Sequence, residues 1–105
     1  MNIEVLLKNI STNLAHLEKA GNGELVAALR SFTATIEKET SDTLDREALL
    51  KQIEILSEQA TLPSESRKQL LITSALYYLS LFSVVPSVGS FLIRNREKLA
   101  RYFGL

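Results

Sequence analysis

The sequence predicts an all-α fold, a compact bundle of four to five helices with a hydrophobic central helix. Three observations carry that prediction. Apolar residues recur at three- and four-residue steps along most of the 105 residues. Short clusters of Gly, Asn, Ser, Asp and Pro separate those stretches. No strand-like alternation lasts beyond a few residues, and Val84-Val85 is too short to change the class. The length fits a single domain, residues 1–105, with no internal repeat or long linker.

A first helix is expected over about Asn2 to Ala20, where Ile3, Leu6, Leu7, Ile10, Leu14 and Leu17 form one apolar stripe. Glu4 and Lys8 have the favourable i,i+4 order. Gly21-Asn22-Gly23 breaks the pattern. Gly21 suits the left-handed position past a helix end, and Asn22 can cap the next helix. The second helix covers about Gly23 to Glu39, with Leu25, Leu29, Phe32 and Ile36 inward. The short link predicts an antiparallel hairpin. Thr40-Ser41-Asp42-Thr43 forms the next break. A third helix is expected from Asp45 as N-cap, with Leu44 and Leu49 spaced as a hydrophobic staple. It continues through Ile53, Leu56 and Ala60, with a Glu47–Lys51 pair, to Leu62-Pro63. Ser64 then reads as the cap of a fourth helix over about Glu65 to Val84. Pro86 and Gly89 interrupt it, and a last helix covers about Ser87 to Phe103, with Gly104 past its end. The expected core is Leu6, Ile10, Leu14, Leu17, Leu25, Leu29, Phe32, Ile36, Leu49, Ile53, Leu56, Leu76, Leu79, Phe82 and Leu92.

The sharpest feature is Leu70 to Ile93, a run of 24 residues without a charge. As one helix it would span ~36 Å, against a hydrocarbon core of ~30 Å. Arg67 and Lys68 flank one end, and Arg94, Arg96 and Lys98 the other. Length and flanks permit membrane insertion. Six hydroxyl residues, Pro86 within the run and Tyr77 and Tyr78 at its middle argue instead for a helix surrounded by others in a bundle.

Composition narrows the function. With no Cys, disulfides, thiolate metal sites and Cys nucleophiles are excluded. Twelve basic residues balance twelve acidic ones, which disfavours a general nucleic-acid binder. The balance hides a division. Residues 1–62 carry six basic and ten acidic residues, a net of −4, and residues 63–105 carry six basic and two acidic, a net of +4. The positive end concentrates in Arg94, Arg96, Lys98 and Arg101, with Tyr102 beside them. This is the candidate patch for a protein partner, self-association or an anionic surface. His16 stands alone on the first helix and reads as a surface or boundary residue. Glu54 and Glu58 share a helix face and are expected to face solvent. No catalytic, cofactor or metal constellation is signalled, so neither a cofactor nor a small-molecule substrate is expected. Asn9-Ile10-Ser11 matches a glycosylation sequon by chance, in the middle of a helix. The first residues lack the basic start and apolar run of a secretory signal. A cytoplasmic location is the default, with membrane association through residues 70–93 as the alternative.

Leu17-Glu18-Lys19-Ala20-Gly21, Glu24-Leu25, Ala28-Leu29, Glu58-Gln59-Ala60, Leu62-Pro63, Arg67-Lys68 and Phe103-Gly104-Leu105 together resemble a known module. It is the helical C-terminal tail of modular bacterial proteins, including pentapeptide-repeat and signalling proteins. The resemblance spans nearly the whole chain. It implies a bacterial accessory or interaction module cut from a larger protein, with no catalytic residue to carry over. The expected function is a non-enzymatic helical protein–protein interaction or oligomerisation module. The alternative is a membrane-associated effector or anchor inserting residues 70–93.

Overall fold

A computed structural model describes residues 2–81 and 86–104. Along them run α1 (Ile3–Lys19), α2 (Gly23–Glu39), α3 (Thr43–Thr61), a 3-10 turn (Ser64–Ser66), α4 (Gln69–Leu81) and α5 (Pro86–Phe103). No strand is present among the described residues. α3 packs against α1, α2 and α4, while α5 lies against α2 and α4. Successive helices pack against one another along the chain. The Cα radius of gyration of 12.7 Å is that of a compact globule of this length.

Local chemistry sets most helix ends. Asn2 caps α1, its Oδ1 accepting from the Glu4 N–H at 2.8 Å. At the other end, Gly21 adopts φ +87°. Its N–H donates to the Glu18 carbonyl, and the Asn22 N–H donates to the Leu17 carbonyl. Those paired bonds close α1 and turn the chain into α2. Asn22 occupies the N-cap position of α2, but its side chain makes no capping bond. Gly104, at φ +69°, ends α5 as expected.

Two boundaries differ from the sequence reading. The N-cap of α3 is Asp42, not Asp45, and its Oδ1 accepts from the Asp45 N–H at 2.9 Å. Starting the helix earlier lets the Arg46 Nε donate to the Thr40 carbonyl at the end of α2. Leu44 is consequently 77% exposed, so the Leu44–Leu49 staple does not form. α4 begins at Gln69 rather than Glu65. Ser64 opens only a 3-10 turn, and Arg67 takes an extended conformation that carries its side chain back to the end of α3.

The core holds the expected Leu6, Ile10, Leu14, Leu17, Leu25, Leu29, Phe32, Ile36, Leu49, Ile53, Leu56 and Leu79. Leu76 and Leu92 lie half-buried at its edge. Phe82, together with Ser83, Val84 and Val85, falls outside the described residues. The core also takes in Val26, Leu50, Ala60, Ile72, Ala75, Phe91, Leu99 and Phe103. Phe91, Leu99 and Phe103 fix α5, and the Phe91 ring meets Phe32 on α2 at 3.8 Å between centroids. Full burial of such side chains stabilises by ~1.5–3 kcal/mol each.

The described part of the uncharged run falls in α4, described over the 13 residues Gln69–Leu81, and in the first half of α5, with residues 82–85 outside the described residues. The described part of α4 is ~20 Å long, against a hydrocarbon core of ~30 Å. No helix among the described residues is long and apolar enough to cross a membrane. Nor is α4 surrounded on all sides. Ile72, Ala75 and Leu79 enter the core, α3 and α5 pack against the helix, and among the described residues its opposite face is exposed.

Candidate functional site

The basic residues expected to form one patch are divided by the geometry of α5. Arg94, Arg96, Lys98 and Arg101 are all exposed. Arg94, Lys98 and Arg101 recur at i, i+4 and i+7 and share a face. Lys98, Arg101 and Tyr102 line a cleft of about 430 Å³ against the start of α2, with Asn22 and Glu24 across it. Arg96 points the other way, into a groove between α5 and α4. The Arg94 Nε donates to the Ser90 carbonyl of its own helix at 3.3 Å.

Tyr102 is held for a structural purpose. Its hydroxyl donates to the Ala60 carbonyl at 3.1 Å and accepts from the Arg67 Nη2 at 3.3 Å. Arg67 is the residue the sequence reading missed. Its half-buried guanidinium donates to the carbonyls of Gln59, Ala60 and Leu62 at the end of α3. It also donates to the Tyr102 carbonyl at the end of α5, at 3.1 Å, and lies 4.8 Å from the Tyr102 ring centroid. One cation thus satisfies the free carbonyls of two helix C-termini, where the helix dipole favours positive charge. Gln59 Oε1 accepts from the Lys68 N–H, and Gln69 Nε2 donates to the Phe103 carbonyl, completing the corner. The available signal was an Arg placed just beyond a helix end.

Glu54 also departs from expectation. It does not face solvent: its side chain is 8% exposed between α1 and α3. Lys51 Nζ donates to Oε1 at 2.6 Å, and Asn9 Nδ2 donates to Oε2 at 2.8 Å. Burial pushes the carboxyl pKa up. The hydrogen bonds from Lys51 and Asn9, with the Lys51 charge, outweigh it and hold the group below the ordinary carboxylate value. Asn13 Nδ2 extends this polar seam to Ser57 Oγ at 3.0 Å. Glu58 remains exposed beside it, lining a cleft of about 190 Å³. His16 is exposed on α1, next to Lys19. Among the described residues, no group of His, Asp and Glu is placed to hold a metal ion.

One surface outside these groups is apolar. Leu70 is 79% exposed, Tyr77 67% and Leu81 56%, all on the outer side of α4, and Ile93 on α5 is 80% exposed. Between the two helices runs a groove of about 530 Å³, lined by Leu76, Ser80, Leu92, Ile93, Arg96 and Ala100 among others. Scattered exposed hydrophobics are ordinary, but several on adjoining helix faces mark an interaction surface.

No protein-family model, curated protein or solved structure matches the chain.

Proposed function

We propose that this protein is a non-enzymatic helical protein–protein interaction module, and that the outer face of α4 with the neighbouring edge of α5 is its contact surface. The observation that carries this reading is the exposure of Leu70, Tyr77 and Leu81 together on α4, with Ile93 on the adjoining helix, whereas Val5 and Leu44 are exposed singly on α1 and α3. A bare apolar surface gains free energy when a partner removes it from water, at ~25 cal/mol per Å². The same reading follows from the resemblance to bacterial helical tail modules, which serve as accessory parts of larger proteins.

A photo-reactive residue at Tyr77 tests it. Cross-linking through that position should give protein adducts, and a probe at Ala27, exposed on α2, should give none. Wild-type protein in excess should compete, whereas a Tyr77→Glu, Ile93→Glu variant should not. Absence of any Tyr77-dependent protein adduct overturns the reading.

Membrane association is the second reading, favoured by the same bare face. It is weakened by the direction of most of the cations. Arg96 lines the groove beside Ile93, but by helical periodicity Arg94, Lys98 and Arg101 lie about 80–140° around α5 from Ile93. An interfacial helix would rim its apolar face with such residues. Flotation with anionic vesicles separates the two readings.

A further inference from the structure

Resting on that reading, we infer that the partner is a second copy of this chain, docked through α4 about a two-fold axis with the two α4 helices antiparallel. α4 carries two packing seams. One, Ile72, Ala75 and Leu79, is buried against the core. The other is Leu70, Ser74, Tyr77 and Leu81, spaced four, three and four, the alternation that keeps a row of side chains facing another helix. All four are exposed, so the second seam is not packed against another helix among the described residues.

Three features point to self-pairing. First, α4 contains no Asp, Glu, Lys or Arg from Gln69 to Leu81, so opposing it to itself brings no like charges together. A face selected for an acidic peptide or lipid headgroups would carry cations on the contact itself. Second, the seam is self-complementary in shape. An antiparallel register centred between Ala75 and Leu76 sets Leu70 opposite Leu81 of the second copy, and the large Tyr77 opposite the small Ser74. Such isologous matching is what a two-fold interface requires, and antiparallel pairing also opposes the helix dipoles favourably. Third, Leu70, Tyr77, Leu81 and Ile93 present apolar area on the order of 500 Å², near the largest patches on monomers and approaching the ~800 Å² per partner of a standard interface.

The test combines mass and register. Light scattering at high micromolar concentration should give a dimer. Tyr77→Glu should weaken it by at least about a hundredfold, since a charge would be buried without a partner. Val5→Glu, on α1 away from this face, should not. Circular dichroism of both variants should match wild type. The chain has no cysteine of its own, so Leu70→Cys and Leu81→Cys proteins can be mixed and oxidised. The mixture should form a disulfide-linked dimer far faster than either protein alone. Three results overturn the inference: a monomer at all concentrations, a dimer insensitive to Tyr77→Glu, or cross-linking no faster in the mixture. A monomer that floats with phosphatidylserine vesicles also overturns it, in favour of a lipid surface. A monomer that still gives Tyr77-dependent adducts with another protein removes self-pairing and leaves the interaction module standing. A monomer with no such adducts removes both.

Discussion

Glu54 illustrates how one carboxylate becomes buried without becoming a liability. Lys51 comes from its own helix and Asn9 from α1, so both oxygens have partners. Deleting either partner would leave a buried acceptor unsatisfied, at a cost of ~1–3 kcal/mol. The pH dependence follows from the lowered pKa. The folded state binds the Glu54 proton less readily than the unfolded chain, so Glu54 contributes stability above the ordinary carboxyl pKa of the unfolded chain. That contribution is lost as pH falls through the folded value. Urea midpoints from neutral pH down to the acid limit should therefore fall more steeply for wild type than for Glu54→Gln. Superimposable profiles would remove the argument. The sequence showed Glu54 and Glu58 as a pair at i,i+4, and only their rotation relative to α1 separates their fates. Asn9 and Asn13, at the same four-residue spacing on α1, were the matching signal.

At the scale of elements, the links are as informative as the helices. Arg67 joins the ends of α3 and α5 through a linker that the sequence assigned to a helix. Arg67→Ala should cost ~2–4 kcal/mol, because the Leu62 and Tyr102 carbonyls lose the guanidinium together, and the Gln59 and Ala60 carbonyls are left with their second donors, the Leu62 N–H and the Tyr102 hydroxyl. Arg67→Lys should recover less than half of that, since an ammonium lacks the planar fork that reaches two helix ends. Chemical denaturation of the three proteins checks both statements, and full recovery by Lys would count against the clamp. The interiors of α1, α2 and α3 were legible because their stripes recur on one face. α4 was not, since apolar residues surround it and periodicity cannot say which stripe goes inward. α5 was misread by one position. Leu92 looked apolar enough to lead, whereas Phe91, Leu99 and Phe103, in register with Phe32 and the Arg67 corner, enter the core.

For the whole molecule, the division into an acidic first part and a basic last part remains visible in three dimensions. The ion pairs Lys51–Glu54 and Arg30–Glu18 both join residues within 1–62. Arg94, Lys98 and Arg101 are turned toward solvent and toward the cleft with α2, Arg96 lines the groove beside α4, and the outer face of α4 itself carries no charged residue. A blank face on a neutral chain has a thermodynamic signature. Self-pairing should make the melting temperature rise with protein concentration. Tyr77→Glu should abolish that rise while shifting the dilute-limit value little, because substitutions at exposed positions usually stay within about ±0.5 kcal/mol. Calorimetry over a wide concentration range reads both, and a concentration-independent wild type would contradict the pairing.

The Arg67 corner also imposes an order on synthesis. Residues up to Thr61 can fold into three helices as they emerge, but the carbonyls at the end of α3 wait for a donor, and Phe32 waits for Phe91. Arg67 reaches the first set early; Tyr102, 35 positions later, closes the second. α3 can cover the inner seam of α4 as soon as both helices have formed, but until that moment the edge of α4 that meets α5 stays open to water beside its outer face. The last helix is therefore a latch, and a ribosome that pauses before Tyr102 would hold a sticky, unfinished bundle in the open.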